Sequence, residues 1–458
     1  MIVLKFGGSS VKNATAMRQV FSIVSNNKEE QIVVLSACSG ITDSLIILLN
    51  YAWQNQYNEM KATLEKISTH HIQVVDDLLA NNKYQEEAKQ SVSKLLEELD
   101  KFIEGIFFLK ETTPRALDKV MSFGELLSTT IFHYYCLSQG LQSVWLDARK
   151  FMKTDSNFNS ANVDFNLSRN EITNYLESQQ FNKTKLAITQ GFIGSDLSGR
   201  TTTLGRGGSD YTAAILGNLT KAKEIQIWTD VNGILTADPR IVKSTKTIEI
   251  MEFNEVRQLA YFGAKVLHPN TLLPAIETGI PIKVLNTFNP SNQGTTIVNF
   301  IDNPTPKPHS IINIKCVRID FPLYSYDNFA EKASEILSTI ARFDFKVYYS
   351  VILPEGLSVW MDKECGYINN FTNACGNYFY ELTDQVILLG ITGIEFDLQI
   401  SNKINDLLTS YKSNILYQSP KRNLIIIESY NNEVIELLNK INDWIVLGEQ
   451  GNGMSLNI

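Results

Sequence analysis

Short, almost wholly apolar runs recur along this chain and are separated by longer segments of helical period. They fall at 2–6, 31–35, 142–146, 185–189, 224–228 and 281–285. A strand that is apolar at nearly every position has to be covered on both faces, which is the place of an inner strand in a mainly parallel sheet. Between the runs lie helices, the clearest over 91–109, where Val92, Leu95, Leu96, Leu99, Phe102, Ile103 and Ile106 keep i, i+3, i+4 spacing. Strands alternating with helices predict a doubly wound α/β domain. Residues 44–112 form a long helical excursion, read as an embedded helical lobe or a cover over a site. His70-His71, in a polar part of it, reads as a solvated face.

A chain of 458 residues exceeds one ordinary core. The pattern breaks at 303–309, where Pro304, Pro306 and Pro308 stand at alternate positions and favour an extended linker. Beyond it the order becomes strand, helix, strand, strand, and then a second loose round of the same plan. We expect one α/β domain over 1–302 and two small α+β modules over 310–458, side by side or interleaved, with a boundary near 380.

The 49 acidic and 41 basic residues give a net charge of −8, which opposes a nucleic-acid partner. Five cysteines are scattered without a CxxC pair, as in the reduced thiols of a cytoplasmic protein, and no metal centre is expected. The opening Met-Ile-Val-Leu run is too short for a signal segment, and the longest apolar run, at 386–394, falls far short of a membrane span.

Several motifs carry chemistry. Lys5-Phe6-Gly7-Gly8-Ser9-Ser10 comes directly off the first strand, where two glycines bring bare amides close to an anion and the lysine adds a compact charge. It is not a Walker A loop, because the lysine precedes the glycines. Arg206-Gly207-Gly208-Ser209-Asp210 precedes an apolar helix, so its amides should sit at a helix N-terminus suited to phosphate or carboxylate. Arg206 offers a two-pronged donor for a carboxylate. Trp228-Thr229-Asp230 ends another strand, the edge at which open α/β sheets bind ligands, and Arg240 follows in an Asp-Pro turn. Gly263 and Lys265 form a turn that could deliver a second cation. Ser122-Phe-Gly-Glu125 is read as placing Glu125 at the opening of an apolar helix, either as a partner of the dipole or as a grip on an ammonium group. The loop Ser36-Ala-Cys38-Ser-Gly-Ile-Thr42 is built of small residues that allow close approach by a ligand.

In this order the motifs resemble the aspartokinases of the amino-acid-kinase superfamily. The resemblance runs through residues 1–300 and rests on KFGGSSV at 5–11, the loop at 36–42, SFGELLS at 122–128, the block at 188–214, WTDVNGILTADPR at 228–240 and FGAKVLHP at 262–269. It implies that Lys5, Phe6, Gly7 and Gly8 hold the transferring phosphate of ATP. Thr229, Asp230, Leu235, Arg240, Lys265 and Val266 would hold the rest of the nucleotide. Thr42, Glu125, Arg206, Gly207, Gly208 and Ser209 would hold L-aspartate, with Asp210 orienting the cations. Lys5, Arg206 and Asp210 are the implied catalytic set, and Mg²⁺ would ride on the ATP phosphates. Leu235 stands where the family commonly has a tyrosine, which removes a stacking partner for the base. The C-terminal modules resemble paired ACT domains, which implies a homodimer or larger homo-oligomer. Their first loop, 321–329, lacks the family's glycine-containing turn, and Leu353-Pro-Glu-Gly356 replaces a polar effector-contacting segment, so we expect little response to lysine or threonine. Two other readings remain open from the residues: a sibling kinase acting on another carboxylate, carbamate or nucleotide, and a non-catalytic amino-acid sensor.

Overall fold

In a computed structural model the described residues are 1–179, 181–263, 269–301, 307–323, 328–343, 345–362, 371, 373–375, 378–394, 396–419, 423–430 and 434–448. The chain divides into two compact units. The first comprises 1–234, 249–253 and 267–300, and the second 235–248, 254–266 and 301–458.

Strand β1 (Ile2–Phe6) is buried along its whole length. It is followed by α1 (Ala14–Asn26), β2 (Gln31–Leu35) and four helices, α2 (Ile41–Trp53), α3 (Tyr57–Leu79), α4 (Gln85–Leu109) and α5 (Pro114–Ser138). Then come β3 (Val144–Leu146), α6 (Ala148–Phe151), β4 (Lys153–Thr154), α7 (Phe165–Ser178), α8 (Phe181–Thr184), β5 (Leu186–Gln190), β6 (Ile193–Asp196) and β7 (Thr201–Thr203). The unit continues with α9 (Gly208–Thr220), β8 (Ile225–Thr229) and β9 (Ile250–Glu252). The chain then enters α10 (Phe253–Tyr261), and α11 (Leu273–Thr278), β10 (Ile282–Asn286) and β11 (Thr295–Val298) complete the first unit.

Eight strands form one sheet in the order β3-β5-β2-β1-β8-β10-β11-β9, parallel except for the β10–β11 pair. Five of the six apolar runs thus occupy inner positions, as their two-sided hydrophobicity requires, whereas the run at 142–146 forms the edge strand β3 and is only partly buried. The register aligns their carboxyl ends: Phe6 lies opposite Leu35 and Trp228, and Leu35 opposite Gln190. The loops after β1, β2, β5 and β8 therefore leave the sheet along one edge. A smaller sheet, β4-β6-β7, carries the segment that leads to α9.

Two expectations need correction. Glu125 lies mid-helix in α5, which starts at Pro114 with the Thr113 side chain capping the Ala116 amide. The Thr-Pro pair is the start signal, so the dipole reading of Glu125 falls away. His71 is buried, with Nδ1 2.7 Å from the Ile67 carbonyl, and burial lowers its pKa to about 4; it packs inside the helical lobe and is not a solvated face.

In the second unit a six-stranded antiparallel sheet has the order β13-β14-β12-β15-β17-β16. Its strands are β12 (Lys307–Pro322), β13 (Val347–Leu353), β14 (Gly356–Met361), β15 (Glu381–Ile394), β16 (Asn414–Ser419) and β17 (Leu424–Tyr430). The helices beside it are α12 (Phe329–Arg342), α13 (Leu398–Leu408) and α14 (Val434–Gly448). Strand β12 begins at Lys307, inside the stretch read as a linker. It serves two cores: Ile311 packs with α13 and α14, whereas Val317, Ile319 and Phe321 pack with α12. The two α+β modules are interleaved through β12 and β15, whose ladder runs from Lys307–Ile394 to Asp320–Glu381.

Helix α5 can lie against the 36–42 loop because residue 124 lacks a side chain. A Cβ on Gly124 would sit 2.6 Å from the Ala37 Cβ. Gly124→Ala should therefore lower the unfolding free energy by about 1–3 kcal/mol through overpacking, seen as a lower midpoint in urea; an unchanged midpoint would show that the loop yields freely.

Candidate active site

Loops and helix ends at the carboxyl edge of the parallel sheet, together with α5, line a cavity of about 400 Å³. Lys5 and Gly8 come from the end of β1, Thr42 from the first turn of α2, Glu125 from α5, and Arg206 to Asp210 from the start of α9. Nine of the sequence-derived residues thus share one wall: Lys5, Gly8, Thr42, Glu125, Arg206, Gly207, Gly208, Ser209 and Asp210.

The turn after β1 is built for close approach. The Gly7 amide donates to the Trp228 carbonyl at 3.1 Å, tying the turn to β8. A Cβ on Gly7 would stand 3.5 Å from Lys5 Nζ, and one on Gly8 would meet the Ala37 carbonyl at 2.9 Å. Side chains at 7 and 8 would fill the space beside the lysine, so this cradle suits a phosphate. Phe6 points away into the core and stacks on Trp228 at 5.8 Å; it supports the turn and does not line the cavity.

Helix α9 begins with Gly207 in the left-handed region, φ 69°, and no side chain caps its first amides. Gly191 and Gly208 allow this helix end to press against β5: a Cβ on Gly191 would lie 2.6 Å from Ser209 Cβ, and one on Gly208 2.6 Å from the Phe192 ring. Asp210, in the first turn, holds Lys5 Nζ at 2.7 Å. The contact is an ion pair without the alignment of a hydrogen bond, since Asp210 Oδ1 finds no hydrogen-bond partner by geometry. Arg206 is exposed and lines the same cavity.

Glu125 is the electrostatic anomaly. It is buried, and its Oε1 accepts from the Ala37 amide at 3.2 Å while Oε2 has no partner. Burial raises its pKa to about 8, with the Ala37 amide and the Lys5 charge pulling the other way. An orphaned carboxyl oxygen facing a polar cavity fits a cationic ligand group. Cys38 also lines the cavity, but burial pushes its thiol up to about 12 and its Sγ points to the Val11 carbonyl, so it is a filler.

The remaining expected residues lie elsewhere. Thr229 and Asp230 end β8 beside the Gly7 turn, and Thr229 Oγ1 donates to Asp230 at 3.2 Å. Leu235 and Arg240 belong to the second unit. Leu235 bridges to Thr247, and Arg240 is exposed and paired with Asp238 at 2.6 Å. Lys265 and Val266 are outside the described residues. Phe192 was not singled out from the sequence; it lines the cavity with a left-handed φ of 69°, fixed by its amide donating to Thr212 Oγ1. Its only sequence signal is its place just after the carboxyl end of β5.

Because Glu125 has a folded pKa above its ordinary 4.5, the folded state holds an extra proton between the two values. Its stability therefore falls as pH rises from about 4.5 to about 8. Glu125→Gln should melt near wild type at pH 4.5 and be more stable at pH 9, by up to about 5 kcal/mol. Equal melting at pH 9 would show that the carboxyl ionises there without cost.

Residues 1–286 match the amino acid kinase family. The lysine-sensitive aspartokinase 3 of Escherichia coli (strain K12) is 39% identical over 304 residues, 66% of this chain and 65% of that protein, so the match spans just under two thirds of that relative. An aspartokinase of Chlamydia trachomatis serovar D is 29% identical over 444 residues, 95% of this chain and 94% of that one. Among solved structures, E. coli aspartokinase III in complex with lysine and aspartate (T-state) aligns with a TM-score of 0.83 at 28% identity, covering 97% of this chain and 99% of that one. The chain belongs to the amino acid kinase family, and the relatives it resembles along nearly its whole length are aspartokinases.

Proposed function

We propose that the protein is an aspartate kinase that transfers the γ-phosphoryl group of ATP to the β-carboxylate of L-aspartate, the reaction that opens lysine, threonine and methionine biosynthesis. The observation that carries this reading is the meeting, in one cavity, of the Lys5–Asp210 pair, the bare start of α9 and the orphaned Glu125 oxygen. In the reaction a β-carboxylate oxygen attacks the γ-phosphorus and the bond to the β,γ-bridging oxygen breaks. The electron pair leaves with ADP, and the product is an acyl phosphate. The acceptor carboxylate is ionised at pH 7 and no general base is required; among the described residues no histidine lines the cavity. Lys5 stabilises charge on the transferring oxygens, with Asp210 holding its ammonium in aim until the phosphate arrives. Glu125 receives the α-ammonium group and gives up its proton as that cation enters. Arg206 and the amides at Gly208 and Ser209 hold carboxylate oxygens. Thr229 and Asp230, at the end of β8, flank the nucleotide. Mg²⁺, carried on the ATP phosphates, supplies further charge neutralisation when bound.

For the second unit the same reading gives a homodimer in a cytoplasmic setting. Its support is the edge strand β13, where Ile352 and Leu353 are half-exposed and the backbone can pair with a second copy. Leu353-Pro-Glu-Gly356 forms the tight β13–β14 turn, with Gly356 at φ 156° and a Cβ there only 2.0 Å from the Phe321 carbonyl. A turn so constrained favours a structural role over effector contact, and we expect weak response to lysine or threonine. Of the other segment behind that expectation, 321–329, residues 324–327 are outside the described residues. Inhibition by sub-millimolar lysine or threonine in a steady-state assay would overturn it.

The function is tested by trapping the acyl phosphate with hydroxylamine, with and without aspartate. Hydroxamate should form only with aspartate and ATP together. Lys5→Ala should lower kcat by roughly a hundredfold or more with the melting curve retained; unchanged turnover would remove Lys5 from the chemistry.

A further inference from the structure

Asp118 is a second buried carboxyl on α5, and the residue roles given above do not use it. It is fully buried and stands seven residues before Glu125, two turns along the same side of the helix. The bonds it receives come from Thr203, at the end of the strand that leads to Arg206, and from Asn159, in the loop between β4 and α7. Its Oδ2 accepts from the Thr203 amide at 2.9 Å and its Oδ1 from Thr203 Oγ1 at 2.7 Å. The Asn159 amide sits 3.1 and 3.0 Å from the two oxygens. Thr203 ends β7, three residues before Arg206. Asn159 reaches the same loop from the other side: its carbonyl lies 3.2 Å from where a Cβ on Gly205 would be, and the Ala161 amide donates to the Thr203 carbonyl at 2.9 Å. One carboxylate thus ties both supports of the 204–207 loop to the helix that bears Glu125.

A purely structural contact would be cheaper without a charge. A carboxylate taken fully out of water with no cationic partner among its bonds costs stability unless several donors satisfy it. Burial pushes the Asp118 pKa up, and the Thr203 and Asn159 donors oppose that shift. Rigidity is what the arrangement gains. An acceptor with two lone pairs on each oxygen can hold a strand end and a loop in one geometry, as a packed leucine cannot.

We propose that Asp118 is a positioning residue for the acceptor substrate: by clamping Thr203 and Asn159 to α5 it fixes the spacing between Glu125 and the Arg206 loop, and so the fit of the amino acid held between them. This rests on the reading of Glu125 and Arg206 as the two grips on that substrate. It sets Asp118 apart from the nucleotide side of the cavity, where the Gly7 amide is tied to the Trp228 carbonyl and Lys5 to Asp210.

The test compares the full-length wild type with Asp118→Asn, Thr203→Val and the double variant, varying aspartate and ATP separately and recording melting curves. Asparagine keeps the shape but turns a donor toward amides that already donate. Asp118→Asn should raise the KM for aspartate about tenfold or more, with the KM for ATP within about twofold. Thr203→Val should shift the aspartate KM in the same direction by less. The double variant should be no worse than Asp118→Asn, because both changes break one clamp. An aspartate KM unchanged in both single variants overturns the inference. So does a parallel rise of both KM values with a lowered melting temperature, which a merely structural role predicts. If Asp118→Asn fails to fold, Thr203→Val decides alone, and an unchanged aspartate KM there overturns the proposal. Wild-type protein without aspartate-dependent turnover sinks the functional reading and this inference together, whereas active wild type with unaffected variants sinks only the inference.

Discussion

Lys5 leaves the end of a strand buried on both faces and meets Asp210 at the start of α9, 2.7 Å away. Much of the site depends on that contact being possible. It requires β1 to lie between β2 and β8 in parallel register, so that the loops after all three emerge together. It also requires α9 to begin at this edge, close enough to β5 that glycine is needed at 191 and 208. An ion pair this shielded is costly to assemble from water, and Asp210 sits in the first turn of α9, where the helix dipole favours its charge. The cation is thereby held beside the Gly7-Gly8 turn, facing the cavity.

Helix α5 contributes two buried carboxyls with opposite fates. Asp118 is saturated by Thr203 and Asn159, so its energy goes into holding backbone in place. Glu125 keeps one oxygen unpartnered and faces the cavity. The contrast separates structure from binding. A satisfied buried acid stiffens its surroundings, while an unsatisfied one is destabilised until a ligand completes it. That both sit on one helix two turns apart makes that helix a rigid bar between the cavity and the support of the 204–207 loop.

The second unit solves a different problem. Two small modules would each have a thin core. Here β12 and β15 are long enough to pass through both, so Ile311 belongs to one core and Phe321 to the other on a single strand. Alternation along β15 sends Ile387, Leu389 and Ile391 to the helical face and Val386 and Leu388 to the opposite one. Phe262 passes over Gly390 on that second face, where a Cβ would come within 3.2 Å of its ring.

Local chemistry determined a good deal of this protein directly from its sequence. Two-sided apolar runs became the inner strands β1, β2 and β5, and Gly207-Gly208-Ser209 opened a helix, because period, burial and turn propensity act over a few residues. The same reasoning misplaced Glu125, since a short motif carries no mark of a helix that had begun at Pro114. It also left His71 on the surface, although it is fully buried in α3. Only the tertiary structure decided which oxygen of Glu125 would be orphaned, that Phe192 would adopt a left-handed backbone, and that Asp118 would clasp Thr203 from 85 positions away in the chain. Those outcomes depend on desolvation and contact between distant segments, quantities that no local window of residues contains.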